Sequence, residues 1–302
     1  MTRDSADRPI AAIGMRLAAT ICLTIMFALG KLASERGVNL IELLFFRQFV
    51  MILPVVVIAA MGPGLVTLKT ARPGAHLRRG AAGLSGMALN FATIGLLPLA
   101  EAQTVWFTTP LFATMLGAWW LREYVGPHRW GAVALGFVGV LIVVHPQTGL
   151  LHPLGTAIGL AAAFMVAVTS ILIRQIGSTE GPLTTVFWFG TTSALALSLT
   201  LPWALQHHDP QTWALLIGVG LTGSFGQIAL TSSLRLAPVS VVAPVDYASL
   251  FWTAALGAWL FGEWPTVWTW VGAPLIIGSG LYIVWRERKL RRIALAAAAL
   301  AA

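Results

Sequence analysis

Apolar runs of 18 or more residues recur along this 302-residue chain, and no other feature restricts its fold as strongly. At about 1.5 Å of helical rise per residue, such a run crosses the ~30 Å hydrocarbon core of a bilayer. Composition agrees. The chain is 57% hydrophobic and 10% charged, with a mean hydropathy of +0.81, whereas a soluble domain carries roughly 25% charged residues. There is too little polar surface to cover a water-soluble globule. The expected fold is therefore an all-α polytopic membrane protein.

Ten spans are expected, near residues 10–32, 41–61, 80–99, 102–121, 129–145, 154–174, 183–203, 212–234, 238–261 and 267–285. The run at 10–32 is read as a retained span, since the preceding residues lack a small-residue cleavage pattern. The net charge of +8 would raise nucleic acid as a partner in a soluble protein, but here the basic residues sit at span ends and no soluble basic domain carries them. Of the 19 lysines and arginines, 15 fall on one side of the ten-span topology, only Lys31 and Arg36 fall on the other, and Arg16 and Arg47 lie within spans. That asymmetry predicts cytoplasmic termini. Nine of the 13 tryptophans fall at span ends, as an interfacial belt requires. The single cysteine, Cys22, allows neither an internal disulfide nor zinc spacing.

The chain also repeats itself. At a constant offset of 137, GLSGMALN (83–90) falls on GLTGSFGQ (220–227) and LPLA (97–100) on LRLA (234–237); after a three-residue shift, GAWWLRE (117–123) matches GAWLFGE (257–263). Five spans per copy is an odd number, so the second copy is expected upside down. This predicts two inverted five-helix units, 1–147 and 148–302. Secondary transporters use that architecture, with the substrate near the midplane between the repeats.

LPLAEAQTVWFTTPLFATMLGAWWLRE, its counterpart LRLAPVSVVAPVDYASLFWTAALGAWLFGEWP, and Phe45-Phe46-Arg47 in span 2 resemble the EamA branch of the drug/metabolite transporter superfamily. The resemblance covers nearly the whole chain. It implies a ten-helix inner-membrane carrier of small metabolites, often an exporter of amino acids or their derivatives; some members are thought to take up S-adenosylmethionine or riboflavin. It implies no cofactor and leaves the substrate open, and a monomer or homodimer is expected.

Polar residues inside spans supply the candidate site. Asn90 and Gln227 occupy equivalent repeat positions, and Gly83, Gly86, Asn90 and Thr93 share a helical face. They could bind substrate, or only bridge packed helices. Asp246, with Ser249, Thr253 and Gly257, forms a polar face in span 9 and is placed near the midplane, where a charge costs about 2.5–3.5 kcal/mol on insertion scales. It could carry a proton, bind a cation, or pair with Arg47. Arg47, about 9 Å inside span 2, could instead snorkel or hold a substrate carboxylate. Arg16 is expected to snorkel. Pro110 and Pro244 are expected to break spans 4 and 9 at related positions, and Trp106 and Tyr247 could stack on a substrate or simply pack. Glu123 and Glu263 are read as structural; His145, His152, His207, His208 and Asp209 are read as solvated.

Neither a P-loop, G-x-S-x-G nor H-E-x-x-H occurs. A gradient-driven or exchange carrier is expected rather than an ATPase or an enzyme; a polytopic enzyme or a channel is the alternative of different class.

Overall fold

The computed structural model describes residues 9–120, 122, 125–144, 152–177, 179–236 and 242–300. Its helices are α1 (Pro9–Glu35), α2 (Leu40–Met61), α3 (Pro73–Leu96), α4 (Leu99–Trp106), α5 (Thr109–Trp119), α6 (Pro127–Val144), α7 (Pro153–Ile176), α8 (Pro182–Ser198), α9 (Leu201–Ala204), α10 (Pro210–Leu236), α11 (Ser249–Phe261) and α12 (Val267–Leu300). A 3₁₀ segment, Ala243–Ala248, leads into α11. Among the described residues there is no strand.

Local chemistry sets the boundaries. Asn39 caps α2 by accepting from the Glu42 N–H, and prolines open α3, α5, α7 and α8, where a missing N–H costs nothing. α11 ends at Gly262, whose φ of 65° is left-handed and favours glycine. Among the described residues, five helical stretches are long and apolar enough to cross a membrane: Ile10–Glu35, Leu40–Met61, Pro153–Ile173, Pro210–Ser233 and Val267–Arg286. The other expected spans coincide with helices that are shorter, less apolar or interrupted. Span 4 is divided between α4 and α5 at Phe107–Thr108, and within the described part of span 9 the 3₁₀ segment Ala243–Ala248 precedes α11.

The helices pack in a recurring set of pairs. α1 lies along α10, α3 along α7, α2 along α8 and α6 along α12; α2 also meets α10, α3 meets α8, α4 and α5 meet α7, and α1 meets both the 3₁₀ segment and α11. α6 and α12 touch backbone to backbone. A Cβ on Gly272 would lie 2.6 Å from the Gly139 carbonyl oxygen.

Polar contacts gather at two opposite ends. Where α1 begins, Thr70 and His76 both bond the Glu180 carboxylate, and Thr184 and the Trp188 indole reach the Thr67 and Leu68 carbonyls. Where α1 finishes, Lys31 pairs with Glu263. Glu101, fully buried, accepts from the Thr266 N–H at 3.1 Å and the Thr269 hydroxyl at 3.2 Å. It thereby caps the positive N-terminal end of α12. His208 is not solvated as the sequence suggested: its side chain is 6% exposed, with Nε2 2.9 Å from a Glu42 carboxylate oxygen and its ring against Trp213. Glu123 and His145 lie outside the described residues.

Burial of Glu180 opposes its ionisation, but hydrogen bonds from Thr70 and His76 outweigh this and hold its carboxyl below the usual range. A lowered carboxyl pKa contributes stability that is complete above the unfolded value, ordinarily about 4.3, and is lost as pH falls through the folded value. Glu180→Gln should therefore melt below the wild type at neutral pH and together with it in strong acid. Parallel thermal melts across that range check this, and a gap of constant size would refute it.

Candidate substrate site

α2 buries the stripe Leu43, Leu44, Arg47, Gln48, Met51, Val55 and Ala59, the three-and-four spacing of one helical face. Arg47 sits in the middle of that stripe and is 0% exposed, so it does not snorkel. Its Nη1 donates to the Gln48 side-chain oxygen, while its Nε and Nη2 have no partner. On α3 the buried face runs through His76, Arg79, Gly80, Gly86, Asn90, Thr93 and Ile94. Arg79 is 2% exposed, and its Nε and Nη1 are likewise unpaired.

The two guanidinium groups meet at one ring. The Arg79 guanidinium lies 3.7 Å from the centroid of Phe189 on α8, and that of Arg47 lies 5.6 Å from it. Cation–π attraction returns about 2 kcal/mol or somewhat more to a desolvated guanidinium, less than the several kcal/mol of desolvating each charge. The cluster also reaches α10, where a Cβ on Gly223 would lie 3.4 Å from Arg47 Nε. Four helices thus enclose two positive charges, with no carboxylate among the described residues paired to either.

Asp246 and Arg47 are not partners. Asp246 pairs with Arg16 through two bonds, Nε to Oδ1 at 2.5 Å and Nη2 to Oδ2 at 2.6 Å. Arg16 is 9% exposed and does not snorkel. The Asp246 side chain is 38% exposed. It projects from the 3₁₀ segment, about 10 Å along α1 from that helix's first residue by helical rise.

Asn90 is buried and Gln227 half-buried, and neither side-chain amide has a hydrogen-bond partner among the described residues. Asn90 shares its α3 face with Arg79, three turns or about 16 Å away. Trp106 packs on Phe27 with centroids 4.8 Å apart, and its indole N–H is buried without a partner. Tyr247 meets Phe107 edge-on at 4.9 Å. Pro110 lies in the first turn of α5, just past the α4–α5 break, and Pro244 in the first turn of the 3₁₀ segment. A cavity of about 550 Å³ lined by Phe112, Met115, Leu116, Trp119, Trp130 and Phe164 contains none of these residues and is apolar.

Arg79 and Phe189 were missed in the sequence. A span that begins at Gly80 leaves Arg79 among the loop charges. The signal was present: Gly83, Gly86, Asn90 and Thr93 continue backwards at helical spacing through Arg79 and His76.

Among the described residues the chain is helical, with apolar spans and charged side chains buried between them, as in polytopic membrane proteins. The EamA-like transporter family model matches residues 10–145 and again 153–285, and the chain belongs to that family. It is 31% identical to the riboflavin transporter of Vibrio cholerae, over 75% of this chain and 76% of that one. It is 30% identical to the S-adenosylmethionine uptake transporter of Rickettsia prowazekii, over 82% and 84%. To the pseudopaline exporter CntI of Pseudomonas aeruginosa it is 27% identical, over 88% and 90%. A solved crystal structure matches with a TM-score of 0.64 at 19% identity, covering 93% of this chain and 99% of that one; this likeness shows the fold alone.

Proposed function

We propose that this chain is a secondary carrier of the inner membrane that exports amino acids or related small metabolites, driven by a gradient or by exchange. In this reading ten spans form two inverted five-helix units, 1–147 and 148–302, with both termini cytoplasmic. The supporting observation is the helix packing. Advancing each span by five turns the α1–α10 pair into α7–α3, α2–α10 into α8–α3, and the contacts of α4 and α5 with α7 into those of the 3₁₀ segment and α11 with α1. The α2–α8 and α6–α12 pairs map onto themselves. Such exchange is what a two-fold axis in the membrane plane demands. The two successive family matches agree with it, and export agrees with the name of the Pseudomonas relative. A second reading, uptake or exchange of S-adenosylmethionine, is favoured by the relative of that name at 30% identity.

Asn90 and Gln227 belong to the central site in this proposal, with Trp106, Tyr247, Arg47 and Asp246 around it. Counterflow in proteoliposomes loaded with single amino acids or with S-adenosylmethionine tests it. The cargo should show saturable exchange without chemical change, and Asn90→Leu or Gln227→Leu should lower its flux at least tenfold at wild-type levels of folded protein. Unsaturable flux would indicate a channel, and normal flux in both variants would make the amides packing elements.

A further inference from the structure

We infer that Arg47, Arg79 and Gln48 form a binding site for an oxyanion group, a carboxylate or phosphate, on the carried solute; the inference rests on the carrier reading above. Five nitrogen donors of these side chains are buried without partners: Nε and Nη2 of Arg47, Nε and Nη1 of Arg79, and Nε2 of Gln48. All three side chains are at most 2% exposed. Water can satisfy a buried donor, but it leaves two positive charges uncompensated in a low-dielectric interior. Among the carboxylates whose side chains are described, none is placed to neutralise them, and Glu35 is exposed at the end of α1. Asp246 is held by Arg16, Glu263 by Lys31, Glu180 by His76 and Thr70, and Glu101 by Thr266 and Thr269; Glu42 faces His208, and Asp209 faces Arg36.

The surroundings suit an anion. Arginine presents fixed donors that match the two oxygens of a carboxylate or phosphate. The Phe189 face orients the Arg79 guanidinium. Gly83 leaves room for it, since a Cβ there would meet Arg79 Nη1 at 2.6 Å. The bond from Arg47 to the Gln48 oxygen leaves the Gln48 NH₂ as an additional donor. The four surrounding helices are α2, α3, α8 and α10, which the repeat exchanges in pairs, so the charges lie at the interface between the two proposed repeats.

The test uses the full chain in lipid nanodiscs, with melting followed by tryptophan fluorescence at constant ionic strength. Succinate and inorganic phosphate are titrated separately. One of them should raise the wild-type melting temperature by several degrees at a hundredfold excess over its Kd. Arg79→Gln and Arg47→Gln should each remove that rise, and both should melt at or above the wild-type temperature without added anion, because each deletes an uncompensated buried charge. Arg79→Lys, which keeps the charge but loses the fork, should retain a weakened rise. A succinate response indicates a carboxylate on the cargo, and a phosphate response a phosphorylated cargo. A wild type insensitive to both anions, or a rise that survives in both glutamine variants, overturns the proposal. An intact anion-dependent rise in a protein that shows no counterflow of any solute would support the site and count against the carrier reading.

Discussion

Asp246→Asn should lower the melting temperature and the yield of folded protein, and Arg16→Gln added to it should restore most of the loss. The pair is bidentate, and Arg16 is almost wholly buried among Asp246, the Leu230 carbonyl and Ser233. Removing one partner of a buried pair strands the other charge, at a cost of about 3–5 kcal/mol. Asp246 keeps more than a third of its side chain exposed, so solvent screening reduces the expected loss to about 2–3 kcal/mol. The double variant removes both charges and escapes most of that cost. The pair also ties α1 to the start of span 9, while Lys31 and Glu263 tie α1 to its end. Size-exclusion recovery after graded heating is the measurement. Equal recovery of Asp246→Asn and wild type would show that the link carries no stability, and would return Asp246 to the role of a free ionisable group. A double variant no better than the single would refute charge stranding as the cause.

Gly272→Ala should be the more damaging of the two changes for its size. The added methyl would lie 2.4 Å from a Val143 methyl, 2.6 Å from the Gly139 carbonyl oxygen and 3.1 Å from the Val143 nitrogen. Two of these three are backbone atoms, which cannot rotate away, so α6 and α12 must separate. Overpacking usually costs about 1–3 kcal/mol, and a backbone clash belongs at or above the top of that range. Gly278→Ala in the same helix is the control. Nothing lies within 4 Å of a Cβ there, and alanine is the better helix former by about 1 kcal/mol. Gly278→Ala should therefore melt at or above the wild-type temperature, with Gly272→Ala well below it. Equal melting of the two variants would rule out the close α6–α12 contact.

Much of the chain's organisation follows from local sequence. An apolar run of about 20 residues has one stable solution in a bilayer, a helix that satisfies its own backbone. Among the described residues, the five helical stretches long and apolar enough to cross a membrane fall where hydropathy placed spans 1, 2, 6, 8 and 10. The internal match of 83–90 with 220–227 depends only on residue order, and so does the alignment of Asn90 with Gln227. Partnership is different. Arg16 and Asp246 are 230 positions apart, and nothing local distinguishes Arg16 from Arg47 as the partner. Packing of α1 against the 3₁₀ segment decides it, because an ion pair needs contact and contact is a property of the folded chain. The same holds for Arg79. Its spacing along α3 is written in the sequence, but whether that face meets headgroups or the Phe189 ring is set by α8. The sequence by itself determined which segments are helices and which polar residues share a face; the tertiary structure alone decided which charges are paired and left Arg47 and Arg79 together without a counter-charge, since neutralisation depends on what lies across the helix interface.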